Sequence, residues 1–425
     1  MKLLVVGSGG REHAISWKLK KDDPSLDLFC APGNAGTAAL GTNLDLHAED
    51  VDAIVAWAVE NRPDFVVVGP EAPLCAGLVD ALADKGIHAF GPRRAGAEIE
   101  GSKAFAKDVM RAANVPTARA EVVHTADEAR EAVARFGIPV VLTADGLAAG
   151  KGVIVCTKAD EAEAAIDRLL VKREFGETPV LVEEFLDGEE CSMLAFVDGA
   201  HFVPMVSAQD HKRLCNADAG PNTGGMGAYS PAPAMTPELA EVVANRVFAP
   251  VVAELAARGI DYKGVLYAGL MLTSNGPKVL EFNCRFGDPE TQCILPRLES
   301  PLLPIMRACV DGTLAPELVR WSAEPCVCVV LVAGGYPGSY PKGDRITGLA
   351  DAAEREGAVV FHAGTALRNG SVVTNGGRVL GVTARGSDIA EAVRRAYHAV
   401  LDVKFDGMFY RTDIAYRALR RLETT

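Results

Sequence analysis

A stretch in the second half of the chain carries the residues whose types and spacing best suit chemistry. The apolar run at 279–282 is interrupted only by Glu281, and Asn283, Arg285 and two further carboxylates follow it closely. In a strand, residues two apart point to the same side, so Glu281 and Asn283 can offer oxygen atoms to one ion. Oxygen ligands suit Mg²⁺, which takes its remaining ligands from water and substrate phosphates. Arg285 can then hold a carboxylate or a phosphate beside the ion. The alternative is a strand end with a solvated cluster of ion pairs.

A glycine-rich turn follows the first apolar run of the chain. The segment containing Gly9 and Gly10 leads from residues 2–6 into a helix that we expect to begin near Arg11. Glu12 stands where a dinucleotide-binding fingerprint has its third glycine, so that fingerprint is weak here. Backbone N–H groups at a helix N-terminus suit one phosphate, and a tight turn that merely requires glycine is the alternative.

Residues 145–152 form a loop of small residues between two apolar runs. The loop contains Gly146, Gly150, Lys151 and Gly152, but it lacks the spacing of a Walker motif and the Ser or Thr after the lysine. A mobile tip with one lysine can fold over a polyphosphate and exclude water. A flexible hairpin without a ligand is the alternative.

Acidic residues flank the next predicted strand, at 180–186. The backbone of Phe185 and Leu186 can pair with an adenine edge, and a carboxylate such as Glu183 or Glu190 can hold ribose hydroxyls. Taken without the neighbouring loop, these residues are better interpreted as surface acids.

A run of charged residues opens a long segment with few apolar residues. Asp210, His211 and Lys212 lead into a stretch rich in Gly, Pro and Asn that contains Asn222. Charge runs are usually solvated faces, but a loop as long as 209–230 in a compact protein is usually functional. The sequence therefore favours a catalytic neighbourhood.

The elements that must position these residues fall into three groups. Strands at 2–6, 65–68 and 88–90, with helices at 51–60 and 77–85 between them, predict an open parallel sheet whose ligands lie beyond the carboxyl ends of the strands. A helix at 103–113, a hairpin of strands at 138–142 and 153–156, and a helix at 237–258 make up the middle part. A strand at 326–332 and a helix at 388–401 predict a small α+β domain at the end. The fold class is thus α/β and α+β multidomain.

Composition excludes several classes of function. The chain of 425 residues has a net charge of −13, which argues against nucleic-acid binding, and no apolar run approaches the length of a membrane helix. Its ten cysteines have no zinc-site spacing, and Cys326 and Cys328 would lie on one face of a strand as small buried hydrophobic residues. We expect free thiols, no membrane partner and a cytoplasmic location.

The chain closely resembles the phosphoribosylamine–glycine ligases (glycinamide ribonucleotide synthetases), an ATP-grasp family of purine biosynthesis. The stretches that carry the resemblance are GSGGREHA at 7–14, VGPEAPL at 68–74, GSKAFAK at 101–107, ADGLAAGKGV at 144–153, VEEFLDGEE at 182–190, QDHKR at 209–213, GPNTGGMGAYSPAP at 220–233, LEFNCRFGDPETQ at 280–292 and FDGMFYRTDI at 405–414. The resemblance implies an N-terminal sheet domain at 1–101, an ATP-grasp domain at 102–323 with a lid at about 115–187, and a C-terminal α+β domain at 324–425. It also implies ligation of glycine to 5-phosphoribosylamine through glycyl phosphate, with ATP and Mg²⁺ (or Mn²⁺).

The resemblance implies a role for each candidate residue. The residues implied to bind ATP are Lys103, Thr143, Gly146, Gly150, Lys151, Gly152, Glu183, Phe185, Leu186 and Glu190. The implied metal ligands are Glu281 and Asn283, and the implied catalytic residues are Arg285, Asp210 and Lys212. The residues implied to bind the other substrates are Gly9, Gly10, Arg11, Glu71, His211, Asn222 and Asp288.

The chain departs from the family pattern at several positions. Thr143 stands where the family has a lysine that contacts ATP phosphates, the segment 214–219 differs from the family, and Ala415 stands where the family has glycine. A catalytically impaired nucleotide-binding paralogue, or a ligase of the same mechanism for another amine or amino acid, is therefore the alternative to an active enzyme. We expect a monomer, and the unstable amine substrate makes a transient handover partner plausible.

Overall fold

The computed structural model describes residues 1–146 and 152–424 and begins with a five-stranded sheet. Its strands are β1 (Lys2–Gly7), β2 (Asp27–Pro32), β3 (Thr42–Asn43), β4 (Phe65–Val68) and β5 (Ala89–Phe90). They lie in the order β3-β2-β1-β4-β5, and every neighbouring pair is parallel. The predicted open parallel sheet is confirmed, so the turns after β1 and β4 meet at one edge.

Five helices accompany this sheet. They are α1 (Gly10–Asp22), α2 (Val51–Asn61), α3 (Glu71–Ala76), α4 (Leu78–Ala83) and α5 (Arg94–Gly101). The helix predicted at 77–85 is α4, and α3, which was not predicted, lies directly before it; Gly77 separates the two. The φ of Gly77 is +90°, a conformation that glycine adopts without strain, so the chain turns there between two short helices.

The next part of the chain forms a small antiparallel sheet with its own apolar core. Its elements follow the helix α6 (Lys103–Ala112) and are β6 (Ala120–Val123), α7 (Ala126–Phe136), β7 (Val140–Ala144), β8 (Val153–Cys156), α8 (Ala159–Ile166) and β9 (Val180–Glu184). The strand order is β6-β9-β7-β8. The predicted strand at 138–142 begins two residues later, at Val140, because Pro139 has no N–H for the ladder.

A long antiparallel sheet and a series of short strands complete the middle part of the chain. The strands are β10 (Glu189–Asp198), β11 (Phe202–Pro204), β12 (Gln209–Asp210), β13 (Arg213–Cys215), β14 (Ala219–Asn222), β15 (Gly227–Ser230), β16 (Lys263–Thr273) and β17 (Gly276–Asn283). The helices are α9 (Pro237–Val243), α10 (Ala249–Ala257), α11 (Glu290–Ile294) and α12 (Leu302–Asp311). The order β11-β10-β16-β17 puts the predicted metal ligands at the end of an edge strand.

Two predictions for this part are corrected by the structure. The segment 209–230 is not a single irregular loop, because it contains four short strands. The predicted helix at 237–258 is α9 and α10 joined by a π-helical turn, Ala244–Phe248.

The C-terminal part is an α+β unit whose sheet incorporates strands from the preceding part. Its elements are β18 (Cys326–Val332), α13 (Leu349–Ala353), β19 (Ala358–His362), β20 (Thr365–Arg368), β21 (Ser371–Thr374), β22 (Arg378–Arg385), α14 (Ile389–Val400) and α15 (Tyr416–Thr424). The antiparallel order β12-β15-β18-β22-β19 joins the segment 209–230 to this unit. Cys326 and Cys328 are fully buried, as predicted. None of the helices in the described ranges has both the length and the apolar character needed to cross a bilayer.

Candidate active site

The glycine turn after β1 packs against the loop that follows β17. The N–H of Gly9 donates to Glu12 Oε2 at 2.6 Å, and the N–H of Arg11 donates to Asp288 Oδ2 at 3.1 Å. The Arg11 side chain donates to Glu12 Oε1 at 2.5 Å and to the carbonyl of Phe286 at 3.0 Å. Two of the N–H groups expected to bind a phosphate therefore bind carboxylates of the protein itself, and Gly10 begins α1 as a buried residue.

Arg285 lies between two carboxylates of the N-terminal domain. Its Nε donates to Glu71 Oε2 at 3.1 Å, and its Nη2 donates to Glu100 Oε1 at 2.6 Å. Burial would raise the pKa of Glu71, but Arg285 and Arg11 lower it to about 2, so this carboxylate is ionised at neutral pH. The structure thus brings Glu71 and Arg285 together, as the predicted roles require. Glu100 was missed, and only its place directly before the matching stretch at 101–107 pointed to it.

The two predicted metal ligands lie together at the end of β17. Glu281 and Asn283 lie on one side of the strand, whereas Phe282 between them is buried in the core. Lys103 Nζ lies 3.6 Å from Glu281 Oε2, and Arg285 Nη2 donates to Asn283 Oδ1 at 3.3 Å. Two oxygen donors and two cationic groups therefore meet at this edge of the sheet.

The donor set fits a hard divalent cation that keeps most of its own ligands. Within residues 1–146 and 152–424, no cluster of three or more His, Cys, Asp or Glu side chains could hold a metal unaided. Burial raises the pKa of Glu281, but Lys103, Lys212 and Arg285 outweigh it, so the carboxylate is ionised and its pKa is below the ordinary value. One carboxylate and one amide oxygen suit Mg²⁺ or Mn²⁺, which would take its other ligands from water and phosphates.

Thr143 is buried at the base of the lid and contacts a carboxylate. Its hydroxyl donates to Glu183 Oε2 at 3.2 Å, and Lys107 Nζ lies 2.7 Å from Glu183 Oε1. Lys107 also donates to Thr117 Oγ1 at 2.9 Å. Lys107 was missed, although it lies four residues after Lys103 and so on the same face of α6.

The lid base is fixed to the start of α6 by Asp145, another residue that the sequence reasoning missed. Asp145 Oδ1 accepts from the N–H of Lys103 at 2.6 Å, and its Oδ2 accepts from Ser102 Oγ at 3.1 Å. Ser102 also caps this helix by accepting from the N–H of Phe105. A carboxylate at a helix N-terminus is stabilised by the helix dipole, and this pattern at 101–105 was a usable signal.

The remaining nucleotide-binding candidates lie around this lid. Phe185 is 40% exposed and Leu186 is buried, so the chain here lies at the protein surface. Gly146 has a φ of +98°, and the carbonyl of Gly152 accepts from the N–H of Ala144 at 3.0 Å. Two further candidates, Gly150 and Lys151, lie outside the described residues.

Asp210 and Lys212 form a second charged group with Glu190. Lys212 Nζ lies 2.7 Å from Glu190 Oε2, a contact that differs from the ribose-binding role predicted for this glutamate. Burial raises the pKa of Asp210 to about 7, with Glu290 and Glu190 adding to the effect and Lys212 opposing it. Glu290 is itself buried and accepts from the hydroxyl of Tyr267 at 2.8 Å. Asp210 can therefore exchange a proton near neutral pH.

His211 and Asn222 contact other parts of the chain than the charged groups described above. The N–H of Ala415 donates to His211 Nε2 at 3.0 Å, and His211 Nδ1 lies 3.9 Å from Asp218 Oδ1. The buried imidazole therefore contacts the C-terminal segment, because side chains alternate in an extended chain and Asp210 and Lys212 take the other side. Asn222 is exposed in β14 and pairs with Arg213 in β13.

Arg378, from β22, reaches the loop after β17 and was missed by the sequence reasoning. Its Nη1 donates to the carbonyl of Asp288 at 2.9 Å and to the carbonyl of Gly224, and its Nη2 lies 3.4 Å from Asp288 Oδ1. Gln292 Nε2 donates to the same Oδ1 at 2.8 Å. Burial raises the pKa of Asp288, but Arg378 and Arg11 outweigh it, so this carboxylate is ionised.

Two histidines lie where the N-terminal and C-terminal parts meet. The N–H of His362 donates to His13 Nδ1 at 2.7 Å, and the two ring centroids are 5.4 Å apart. Burial, with a smaller contribution from His362, lowers the pKa of His13 to about 3, and burial lowers the pKa of His362 to about 4. Both rings are therefore neutral at physiological pH.

Comparisons with known proteins give one consistent result. Models of the N, ATP-grasp (A) and C domains of phosphoribosylglycinamide synthetase match residues 1–100, 101–291 and 326–417. The chain is 49% identical over 426 residues to the phosphoribosylamine–glycine ligase of Vibrio vulnificus (strain YJ016), covering 99% of each chain. It is 50% identical over 426 residues to that of Rhodopirellula baltica, covering 98% of each. The crystal structure of the Thermotoga maritima ligase superposes with a TM-score of 0.84 at 36% identity, covering 98% of this chain and 100% of that one.

Proposed function

The chain belongs to the phosphoribosylglycinamide synthetase family, and we propose that it joins glycine to 5-phosphoribosylamine in purine biosynthesis. ATP phosphorylates the glycine carboxylate, and the amine then attacks glycyl phosphate to give glycinamide ribonucleotide, ADP and phosphate. The chain is an ATP-dependent carbon–nitrogen ligase with small-molecule substrates. We further propose that it works as a monomer in the cytoplasm and receives its unstable amine substrate from a transient handover partner.

The observation that carries this proposal is the meeting of oxygen donors and cations at the end of β17. Glu281 and Asn283 lie beside Lys103 and Arg285, with distances of 3.6 Å and 3.3 Å between the paired atoms. An acyl phosphate carries negative charge on its oxygens, and fixed cations lower the energy of the transition states that form and consume it. This grouping supports phosphoryl transfer to a carboxylate.

We assign the divalent cation to Glu281 and Asn283. When bound, Mg²⁺ (or Mn²⁺) supplies Lewis-acid stabilisation of phosphate charge. Arg285 holds the carboxylate of glycine and then its acyl phosphate, because Glu71 and Glu100 fix the orientation of the guanidinium. Lys103 lies 3.6 Å from Glu281, and with a cation held by that carboxylate its ammonium would be free to bind a phosphate of ATP.

The other assignments follow the walls of the cleft. Glu183, Glu190 and the backbone of Phe185 and Leu186 hold the adenosine, and the lid keeps water from the acyl phosphate. Asp210 accepts the proton that the amine loses on attack, since its pKa of about 7 suits a general base.

The proposal is tested by the substrate dependence of ADP release. The purified protein is incubated with ATP, Mg²⁺, glycine and freshly generated phosphoribosylamine. ADP release that requires both glycine and the amine supports the ligase, and mass spectrometry of the product identifies glycinamide ribonucleotide. Nucleotide binding without turnover would instead show an impaired paralogue, and turnover with another amine or amino acid would show a different specificity.

A further inference from the structure

Arg378 is a cation that the C-terminal domain contributes to the cleft. It is the first residue of β22, and its side chain extends to the loop at 224–225 and to Asp288. The glycine turn that holds Arg11 reaches Asp288 from the N-terminal domain. Segments from the N-terminal, ATP-grasp and C-terminal parts therefore meet at one carboxylate.

The guanidinium of Arg378 has hydrogen-bonding capacity left over. Within the part of the chain that the structure describes, its contacts at Asp288 and Gly224 use only the two Nη groups. A guanidinium has five N–H donors, so Nε–H and part of Nη2 can serve another acceptor. The side chain is 23% exposed, whereas that of Arg11 is 9% exposed, so Arg378 is the more accessible of the two cations.

The charge around Arg378 suits an anion that comes from solution. The protein has a net charge of −13, so a small anionic substrate needs local cations to enter this part of the cleft. Glu12 pairs with Arg11, and Asp288 contacts both Arg11 and Arg378, so what Arg378 offers an anion is its remaining N–H groups rather than an unbalanced charge. Planar guanidinium groups bind phosphate oxygens in pairs, which fixes both distance and orientation.

The position of Arg378 selects which anion it binds. The nucleotide side of the cleft has Lys103 and Glu281, and Arg285 lies next along the loop. Arg378 contacts Asp288, which lies further along the loop, away from the metal ligands. The amine and the phosphate of phosphoribosylamine are at opposite ends of the ribose, so an amine placed at Arg285 directs the phosphate away from the metal.

We propose that Arg378 binds the 5-phosphate of phosphoribosylamine and thereby makes the C-terminal domain part of the substrate site. This inference rests on the proposed function and assigns one substrate group to one residue. Arg378 then acts in substrate binding, and its removal changes the apparent affinity for the phosphorylated amine while the affinities for ATP and glycine stay the same.

The test compares Arg378→Gln with Arg385→Gln, a matched change at the other end of β22. Arg385 pairs with Glu324 and, within residues 1–146 and 152–424, has no hydrogen bond or ion pair with the site residues named above. We expect Arg378→Gln to raise the KM for phosphoribosylamine by about 10- to 100-fold, as loss of a charge-assisted bond predicts. The KM values for ATP and glycine should change by less than about twofold. Arg385→Gln should leave all three values unchanged. An unchanged KM for the amine in Arg378→Gln would overturn the proposal. Arg378 would then serve only to hold the loop at 224–225 in place.

A binding measurement separates this inference from the proposed function. Calorimetry with ribose 5-phosphate and with ribose does not require turnover, so it remains informative even if the wild-type protein shows no ligation. We expect ribose 5-phosphate, but not ribose, to bind the wild-type protein and to bind Arg378→Gln at least about 10-fold more weakly. Arg378→Lys keeps the positive charge but lacks the planar guanidinium, so its affinity for ribose 5-phosphate should lie between those of the wild type and Arg378→Gln. This variant also provides a test if Arg378→Gln fails to fold. Equal binding of ribose 5-phosphate by the wild type and Arg378→Lys would overturn the proposal.

Discussion

The side of the site proposed to bind the nucleotide uses lysines, whereas the side where the three parts of the chain meet uses arginines. On the nucleotide side, Lys103, Lys107 and Lys212 each lie within 3.6 Å of a glutamate oxygen. On the other side, Arg285 bridges two carboxylates. Arg411, in a separate cluster, follows the same pattern: it is fully buried and contacts Asp413 through two nitrogens and Asp218 through a third.

The choice of lysine or arginine separates side chains that can change binding partners during the reaction from side chains that keep a fixed position. An ammonium is a compact charge on a flexible stem and can move from a carboxylate to a phosphate with little rearrangement. A guanidinium held by two or more acceptors loses several oriented bonds when it moves, so it stays in place. The nucleotide side is therefore suited to exchange during the reaction, and the arginine side to alignment of the substrates.

We expect the largest effect from removal of Glu281, the proposed metal ligand beside Lys103. Glu281→Ala should lower turnover by at least about 10³-fold, because several kcal/mol of phosphate-charge stabilisation is removed. Unfolding in urea should remain a single cooperative transition. Glu60→Ala, at an exposed position of α2, is the control and should keep full activity. Turnover by Glu281→Ala at ordinary Mg²⁺ would remove this residue from the metal site.

Replacing Arg285 by lysine directly tests whether arginine and lysine have different roles in the site. Arg285→Lys keeps the charge, but one ammonium cannot reach both Glu71 and Glu100 in the present geometry. We expect kcat to fall by about 10- to 100-fold through loss of charge-assisted bonds. Steady-state kinetics measure the change, and the reciprocal Lys103→Arg should be less damaging. Equal effects of the two changes would contradict the distinction.

Acid should weaken the region where the N-terminal and C-terminal parts meet. The pKa of His13 is about 3 and that of His362 about 4, both below the ordinary 6.5, so the unfolded chain binds more protons between those values and pH 6.5. The free energy of unfolding should therefore fall as pH falls below 6.5, by up to about 1.4 kcal/mol per pH unit for each histidine. Urea unfolding at pH 7.5 and pH 5.5 measures this slope. His13→Gln should reduce it, and an equal slope in the variant would contradict the assignment.

A smaller gain is expected from adding charge beside the nucleotide. Thr143→Lys should lower the apparent KM for ATP or raise turnover by about 10-fold, since a charge-assisted contact is added. Thr143→Val, which removes the hydroxyl without adding charge, should bring no gain. Unchanged or poorer kinetics for Thr143→Lys would show that Lys107, on the same glutamate, already supplies the charge.

The smallest effect concerns the backbone near His211. Ala415 has a φ of +68°, in the left-handed region that disfavours residues with a Cβ atom. Ala415→Gly should raise the free energy of unfolding by about 1 kcal/mol, because relief of this strain exceeds the added freedom of the unfolded chain. Thermal unfolding measures it, with Ala396→Gly in the interior of α14 as a control that should destabilise. A lower melting temperature for Ala415→Gly would show that packing of the Cβ atom dominates.

The elements predicted correctly are those specified by short-range patterns. The run at 2–6 and the glycines after it define β1 and its turn, and the alternation of Glu281, Phe282 and Asn283 puts the two oxygen donors on one side of β17. By contrast, β10 and β16 were not predicted. Both are buried over most of their length, so polar residues do not alternate along them, and their apolar runs fit a buried helix as well.

The sequence by itself therefore determined the parallel sheet, the pair of oxygen donors proposed as metal ligands and the arginine beside them, because each depends on residues a few positions apart. The tertiary structure decided which partners those residues have. Glu100 meets Arg285 across 185 positions, and Arg378 meets Asp288 across 90. It also decided that β15 pairs with β18 and that His211 contacts Ala415. Such contacts leave no local periodicity in the chain, since they form only when separate parts fold and bury a common surface.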